Sequence, residues 1–161
     1  VITPCGGGGS AAAKGCRVYR TTSVALPNIT WTELTFNAEH FDYGGYFDLA
    51  GGGPITIPAG ESGLYLVIAG CWFEAHNAGF RYFQVTKNAD AVNVDPIVYD
   101  DRSPFSTVTV AQSVIAAVAN TWPLVAGDTL HLHAFQSSGT TINATGNVKL
   151  GISLGVTKLG T

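Results

Sequence analysis

Polar and apolar residues alternate along most of this chain with a period of two. In "TWTELTF", Trp31, Glu33 and Thr35 take turns with Thr32, Leu34 and Phe36. In "FRYFQVTKN", Phe80, Tyr82 and Gln84 alternate with Arg81, Phe83 and Val85. Successive side chains of an extended chain point to opposite faces, so this period predicts strands with one buried side. "GLYLVIAGCWFEA" reads as a longer strand, too apolar for a surface position. "RVYRTTSVAL" (closed by Pro27 and Asn28), the short "ITIP" after "AGGGP", "STVTVAQSVIAAV", "TLHLHAFQ" after the turn "LVAGD", and "VKLGISLGV" complete the set. "SVIAAVA" is the one segment that passes for a helix, and its β-branched neighbours argue for strand. Turn residues recur roughly every 8–15 positions, the rhythm of an antiparallel sandwich or jelly roll. No internal repeat is visible.

The 161 residues suit one domain with a real core. Only 12% of them are charged and 46% are hydrophobic, where about 25% charged is usual. Mean hydropathy is +0.23. A chain so poor in charge exposes apolar surface unless it covers that surface with other copies or partners. The net charge of −3 supplies no basic stripe, which argues against nucleic acid. The longest apolar run, Leu64 to Phe73, falls short of the roughly 18 residues of a membrane helix. The start at Val1 shows no signal-peptide pattern, and the lack of Met points to a removed initiator or a cut precursor, so secretion stays open. "PCGGGGSAAAKG" is low in complexity, and residues 1–15 are expected to form a flexible arm or linker ahead of a domain at 16–161. Cys5 and Cys16 flank that segment and are candidates for pairing, while Cys71 is expected as a buried free thiol. No Cys/His spacing suggests zinc.

The order of the strands carries a resemblance. Phe36, Asp42, Phe47, Ile55, Gly63 and Tyr65 resemble the signature of the complement-C1q/TNF-like jelly roll: an aromatic, an Asn or Asp, two more aromatics, then Gly-x-Tyr. Ile55 stands where the family has its third aromatic, with a longer spacing before Gly63. "YRTTSVALPNITWTELTF", "AGFRYFQVTKN" and "LVAGDTLHLHAFQSSG" are also similar to this family, most of all to bacterial and bacteriophage virion or fibre members. The resemblance spans about residues 16–160. It implies an antiparallel jelly-roll sandwich that assembles as a homotrimer, with the six signature residues in its core.

The stretch "TFNAEHFDYGGYFDL" sets Phe36, Phe41, Tyr43, Tyr46 and Phe47 among carboxylates, as a sugar-binding shelf or a glycosidase cleft would. The alternative is that these aromatics are core and inter-strand anchors, and the resemblance favours it. Gly44-Gly45 is then a turn admitting positive φ, and Asp42 and Asp48 bond loop backbone. A glycosidase needs two facing carboxylates, and Glu33, Glu39, Asp42, Glu61 and Glu74 are scattered over different elements. No G-x-S-x-G elbow supports a triad. His131 and His133 share one face of a strand and are weak candidates for a metal, with outward polar histidines as the alternative. "YDDR", Tyr99 to Arg102, reads as a solvated turn with an Asp–Arg pair and not as a calcium site. Asn28 and Asn143 fit the glycosylation sequon, which matters only in a eukaryotic secretory pathway. No cofactor is implied. The expected function is a non-enzymatic trimeric virion structural protein, a capsid decoration or fibre component docked on a capsid or tail lattice at the virion surface. The alternative is a secreted, extracellular recognition module that binds a host-surface glycan or protein through loops such as "WFEAHNAGF" or "QSSGTTINATGN". Neither reading involves nucleic acid or membrane.

Overall fold

The computed structural model describes residues 13–88, 98–102, 114–147 and 151–160. Among them the regular structure is all β, in two antiparallel sheets. Strand β6 (Gly63–Phe73) organises the larger one. Its odd positions Tyr65, Val67, Ala69, Cys71 and Phe73 are all buried, at 0–1% exposure, so the strict alternation settles its inner face. Strand β9 (Val114–Leu124) pairs along one edge of β6 and β12 (Ser153–Gly160) along the other. Beyond β12 come β1 (Gly15–Tyr19) and then β4 (Ala38–Tyr43) at the margin. At the far end of β6, Phe73 pairs with Ala144 of β11 (Ile142–Ala144), which in turn pairs with β2 (Val24–Leu26). The smaller sheet runs β3 (Thr32–Glu33), β10 (Thr129–Gln136), β7 (Arg81–Lys87), β8 (Val98–Arg102), with β5 (Ile55–Thr56) also on β10.

The core lies between the two inner faces. Val18, Val67, Leu154 and Val156 of the larger sheet bury with Phe83, Val85, Leu130, Leu132 and Ala134 of the smaller one. Among the described residues no helix is long and apolar enough to cross a membrane.

Several elements differ from the sequence expectation. Residues 17–26, expected as one strand, divide into β1 and β2. The Thr21 backbone N–H donates to Asn37 Oδ1 at 2.9 Å and Arg20 Nη1 to Thr35 Oγ1 at 2.8 Å. These side-chain bonds replace ladder bonds and turn the chain toward β11. "YDDR", expected as a turn, belongs to β8 by the pairing of its backbone with β7. The last strand begins at Ser153, later than "VKLGISLGV" suggests, because a bend precedes it. A side chain at Gly151 would meet Asn147 N at 2.3 Å, so that bend requires glycine. "SVIAAVA" falls in β9 over the residues that are described. Gly15, assigned by sequence to the arm, opens β1. The rest of that arm through residue 12, including Cys5 and its pairing, lies outside the described residues. Cys16 itself is a buried free thiol, as is Cys71.

Candidate functional site

The signature residues come together at one end of the sandwich. Asp42, in β4, turns its carboxylate into the following loop. Oδ1 accepts the backbone N–H groups of Gly45 and Tyr46, both at 3.0 Å, and Oδ2 accepts that of Phe47 at 2.9 Å. The chain can present three successive N–H groups to one carboxylate because Gly44 and Gly45 both take positive φ, 130° and 75°. Asp48 repeats the device on a smaller scale by accepting the Ala50 N–H at 3.0 Å. The clasp delivers Tyr46 and Phe47 to the core, where Phe36 meets Phe47 edge-on with ring centroids 6.3 Å apart. Tyr46 and Tyr65 share a hydroxyl–hydroxyl bond of 3.0 Å, and the Tyr65 hydroxyl donates to the Glu61 carbonyl. Burial, and next the bond to Tyr65, push the Tyr46 phenol above its ordinary range. Ile55 is fully buried. Gly63 packs so closely on the end of β12 that a Cβ there would lie 2.2 Å from Gly160 O.

The aromatics of this stretch therefore part company. Phe36, Tyr46 and Phe47 are core residues. Phe41 and Tyr43, expected with them, stack on each other at 5.2 Å toward the outside of marginal strand β4, and Tyr43 is 58% exposed. The sequence-level reasoning missed the strand at Ala38–Tyr43, whose period of two sends Phe41 and Tyr43 to the same face.

Glu61, Glu74 and Asp128 are occupied in holding the fold, and the thiols of Cys16 and Cys71 are buried. Glu61 takes Lys14 and Lys158 at 3.1 Å each, and these two ammonium groups, Lys158 foremost, hold its pKa below the usual value. Glu74 accepts both the backbone and side-chain N–H groups of Asn143. Asp128 accepts from Val125 N and Asn88 Nδ2 at 2.9 Å each. Burial pushes the thiols of Cys16 and Cys71 up, away from thiolate reactivity. A recess of about 370 Å³ beside Tyr46, Asp48 and Pro54 contains no second acid to face Asp48.

His131 and His133 lie on the outward face of β10, their rings 6.4 Å apart. His131 Nδ1 meets Glu33 Oε1 at 2.7 Å and its Nε2 meets Thr129 Oγ1 at 3.1 Å, so both ring nitrogens have protein partners. Desolvation lowers the pKa of His133 from its ordinary value. Among the described residues no group of three or more His, Cys, Asp or Glu is placed to hold a metal ion.

The outward face of the larger sheet is a different kind of surface. Register sets Ala119, Ile68, Gly155, Arg17 and Phe41 in one row across five strands. The next row holds Thr121, Leu66, Thr157, Gly15 and Tyr43. Leu64 and Ile68 are 44% and 46% exposed, and Arg17 is the one charged residue of the two rows. Trp72, seven positions from Tyr65 and so on the opposite face, adds a half-buried indole to this side of β6.

No family model matches the sequence, and no curated protein does. The fold has clear counterparts among solved structures. Eiger TNF from S. frugiperda superposes with a TM-score of 0.63 over 91% of this chain and 92% of its own, at 13% identity. Murine APRIL at pH 8.0 gives 0.64 over 91% and 99%, at 14% identity. Murine APRIL at pH 5.0 gives 0.63 over the same shares, at 15% identity. The chain is a TNF-like jelly roll in fold. At this level of identity the likeness concerns the backbone, and the jelly roll's function has to be argued from its own surfaces.

Proposed function

We propose that this jelly roll is a non-enzymatic attachment module that works as a homotrimer, with the outward face of its larger sheet as the self-association surface. One observation carries the proposal. The rows through Ile68 and Leu66 set apolar side chains from β4 and β6 beside small residues of β1, β9 and β12, with one charge between them. Fully burying a side chain such as Leu or Ile is worth about 1.5–3 kcal/mol, which gives three copies reason to close around this face. Non-enzymatic action is supported by the engagement of Asp42, Asp48, Glu61, Glu74 and Asp128 in structural bonds.

The finer reading is a virion structural protein, a capsid decoration or fibre component, with the N-terminal segment as tether. The low charge fraction, the Gly/Ala-rich residues 6–13 and the resemblance to bacteriophage members support it. A second reading, a secreted recognition module, is favoured by Phe80, a 47% exposed ring at the end of the 74–80 loop.

Light scattering tests the assembly. Wild-type protein is expected at three times the 16.8 kDa protomer mass, and Ile68→Asp is expected to yield folded monomer. A wild-type monomer at micromolar concentration would remove the basis of the proposal. For the virion reading, deletion of residues 1–15 should leave a trimer but weaken its incorporation into particles. Normal incorporation would move the docking surface onto the jelly roll itself.

A further inference from the structure

On the outward face of the smaller sheet, four aromatic rings from three distant parts of the chain run side by side. Trp31, just before β3, lies 5.3 Å from Phe135 of β10, centroid to centroid. Phe135 lies 5.7 Å from Tyr82 of β7, and the two are partners in the ladder. Tyr82 stacks on Phe80 at 6.1 Å with 18° between the planes. The core does not require these rings. Strands β7 and β10 send Phe83, Val85, Leu130, Leu132 and Ala134 inward, and each of the four rings stays partly exposed. Aromatic cross-strand pairs stabilise a sheet by at most about 1 kcal/mol each, little return for four large rings left partly in water.

The neighbouring row is polar. Two residues along β10 from Phe135 stands the partly exposed His133, with the exposed Glu33 paired to it on β3, while Gln84, its partner on β7, is fully buried. A strip of apolar ring faces thus borders the imidazole of His133 and the carboxylate of Glu33, the composition of a site that holds an amphipathic ligand by stacking and orients it by hydrogen bonds. The charges select among such ligands. Among the described side chains the acid of this face is Glu33. Among the described side chains no cation joins the rings. Arg81 is buried at 1% exposure, donating to the carbonyls of His76, Ala78 and Phe80, and Lys87 is engaged with Asp128 at the other end of β7. An anionic ligand would meet the Glu33 carboxylate, with no counter-charge among the described side chains at the rings. An uncharged polyhydroxylated ring, apolar on its C–H face and hydrogen-bonding at its rim, meets both the rings and the polar groups beside them.

We propose that this face binds a neutral glycan. The site is built within one protomer and stands independently of self-association.

The test is binding of the full chain to an array of neutral and acidic glycans, followed by titration with the best neutral oligosaccharide. Trp31→Ala, Tyr82→Ala and Phe80→Ala should each weaken that affinity about tenfold or more, while Trp31→Phe retains part of it. Phe80 is the most exposed ring, so its variant keeps the fold even where another does not. Phe41→Ala, on the opposite sheet, should leave glycan affinity unchanged. Light scattering on the same samples separates this result from the fate of the trimer proposal. Three outcomes overturn the inference: no neutral glycan bound, binding confined to acidic glycans, or affinity unmoved by Trp31→Ala and Phe80→Ala. A change of oligomeric state in those variants would also overturn it, by assigning the rings to a contact between copies.

Discussion

Replacing Tyr65 by Phe removes one oxygen atom and two hydrogen bonds. The Tyr65 hydroxyl donates to the Glu61 carbonyl and accepts the bond from the Tyr46 hydroxyl at 3.0 Å. Both tyrosines are essentially inaccessible, at 1% and 0% exposure, so water cannot readily replace what is lost. A buried hydrogen bond contributes about 0.5–1.5 kcal/mol net, and an orphaned buried polar group costs about 1–3 kcal/mol. Tyr65→Phe orphans the Tyr46 hydroxyl and is expected to cost about 2–3 kcal/mol. Tyr46→Phe leaves Tyr65 bonded to Glu61 and should cost about 1 kcal/mol. The double variant loses the same two bonds but leaves no orphaned phenol, so it should be about 1 kcal/mol more stable than the sum of the singles predicts. Urea unfolding at one fixed protomer concentration measures all four corners of the cycle, since assembly shifts the midpoint by mass action. Strict additivity, or a Tyr65→Phe variant within about 0.5 kcal/mol of wild type, would refute the placement of this pair at the closed end of the core.

Gly63→Ala should destabilise the chain by about 1–3 kcal/mol, because its Cβ would sit 2.2 Å from Gly160 O and force β6 and β12 apart; thermal unfolding measures it. The pH dependence of stability should include a contribution from Glu61, whose pKa is lowered below 4.5 in the folded chain by Lys158 and Lys14. That contribution is complete above about pH 4.5 and is lost as pH falls through the depressed folded value. Glu61→Gln should flatten the acid limb of a stability–pH curve, and an unchanged limb would show that the two lysines do not hold the carboxylate.

The strands themselves were legible because their information is local. Period two in "FRYFQVTKN" and "TLHLHAFQ" states which residues share a face, and Asp42 followed by Gly44-Gly45 states a turn that a carboxylate can clasp. Which face is covered, and by what, was not local. Phe36 and Phe41 read alike in sequence, yet one is 3% exposed in the core while the other lies toward the outside of a marginal strand, because among the described residues β4 pairs with β1 alone. Arg81 alternates with hydrophobic neighbours and follows them inward, where three loop carbonyls receive its guanidinium. Glu33 and His131 are 98 residues apart in the chain and 2.7 Å apart in space. The aromatic strip joins Trp31, Phe80, Tyr82 and Phe135 only after β3, β7 and β10 have been laid side by side. Alternation along one strand is set by the geometry of the peptide unit. Juxtaposition between strands is set by which pairings bury the most apolar surface at once, and that sum exists only in the folded chain.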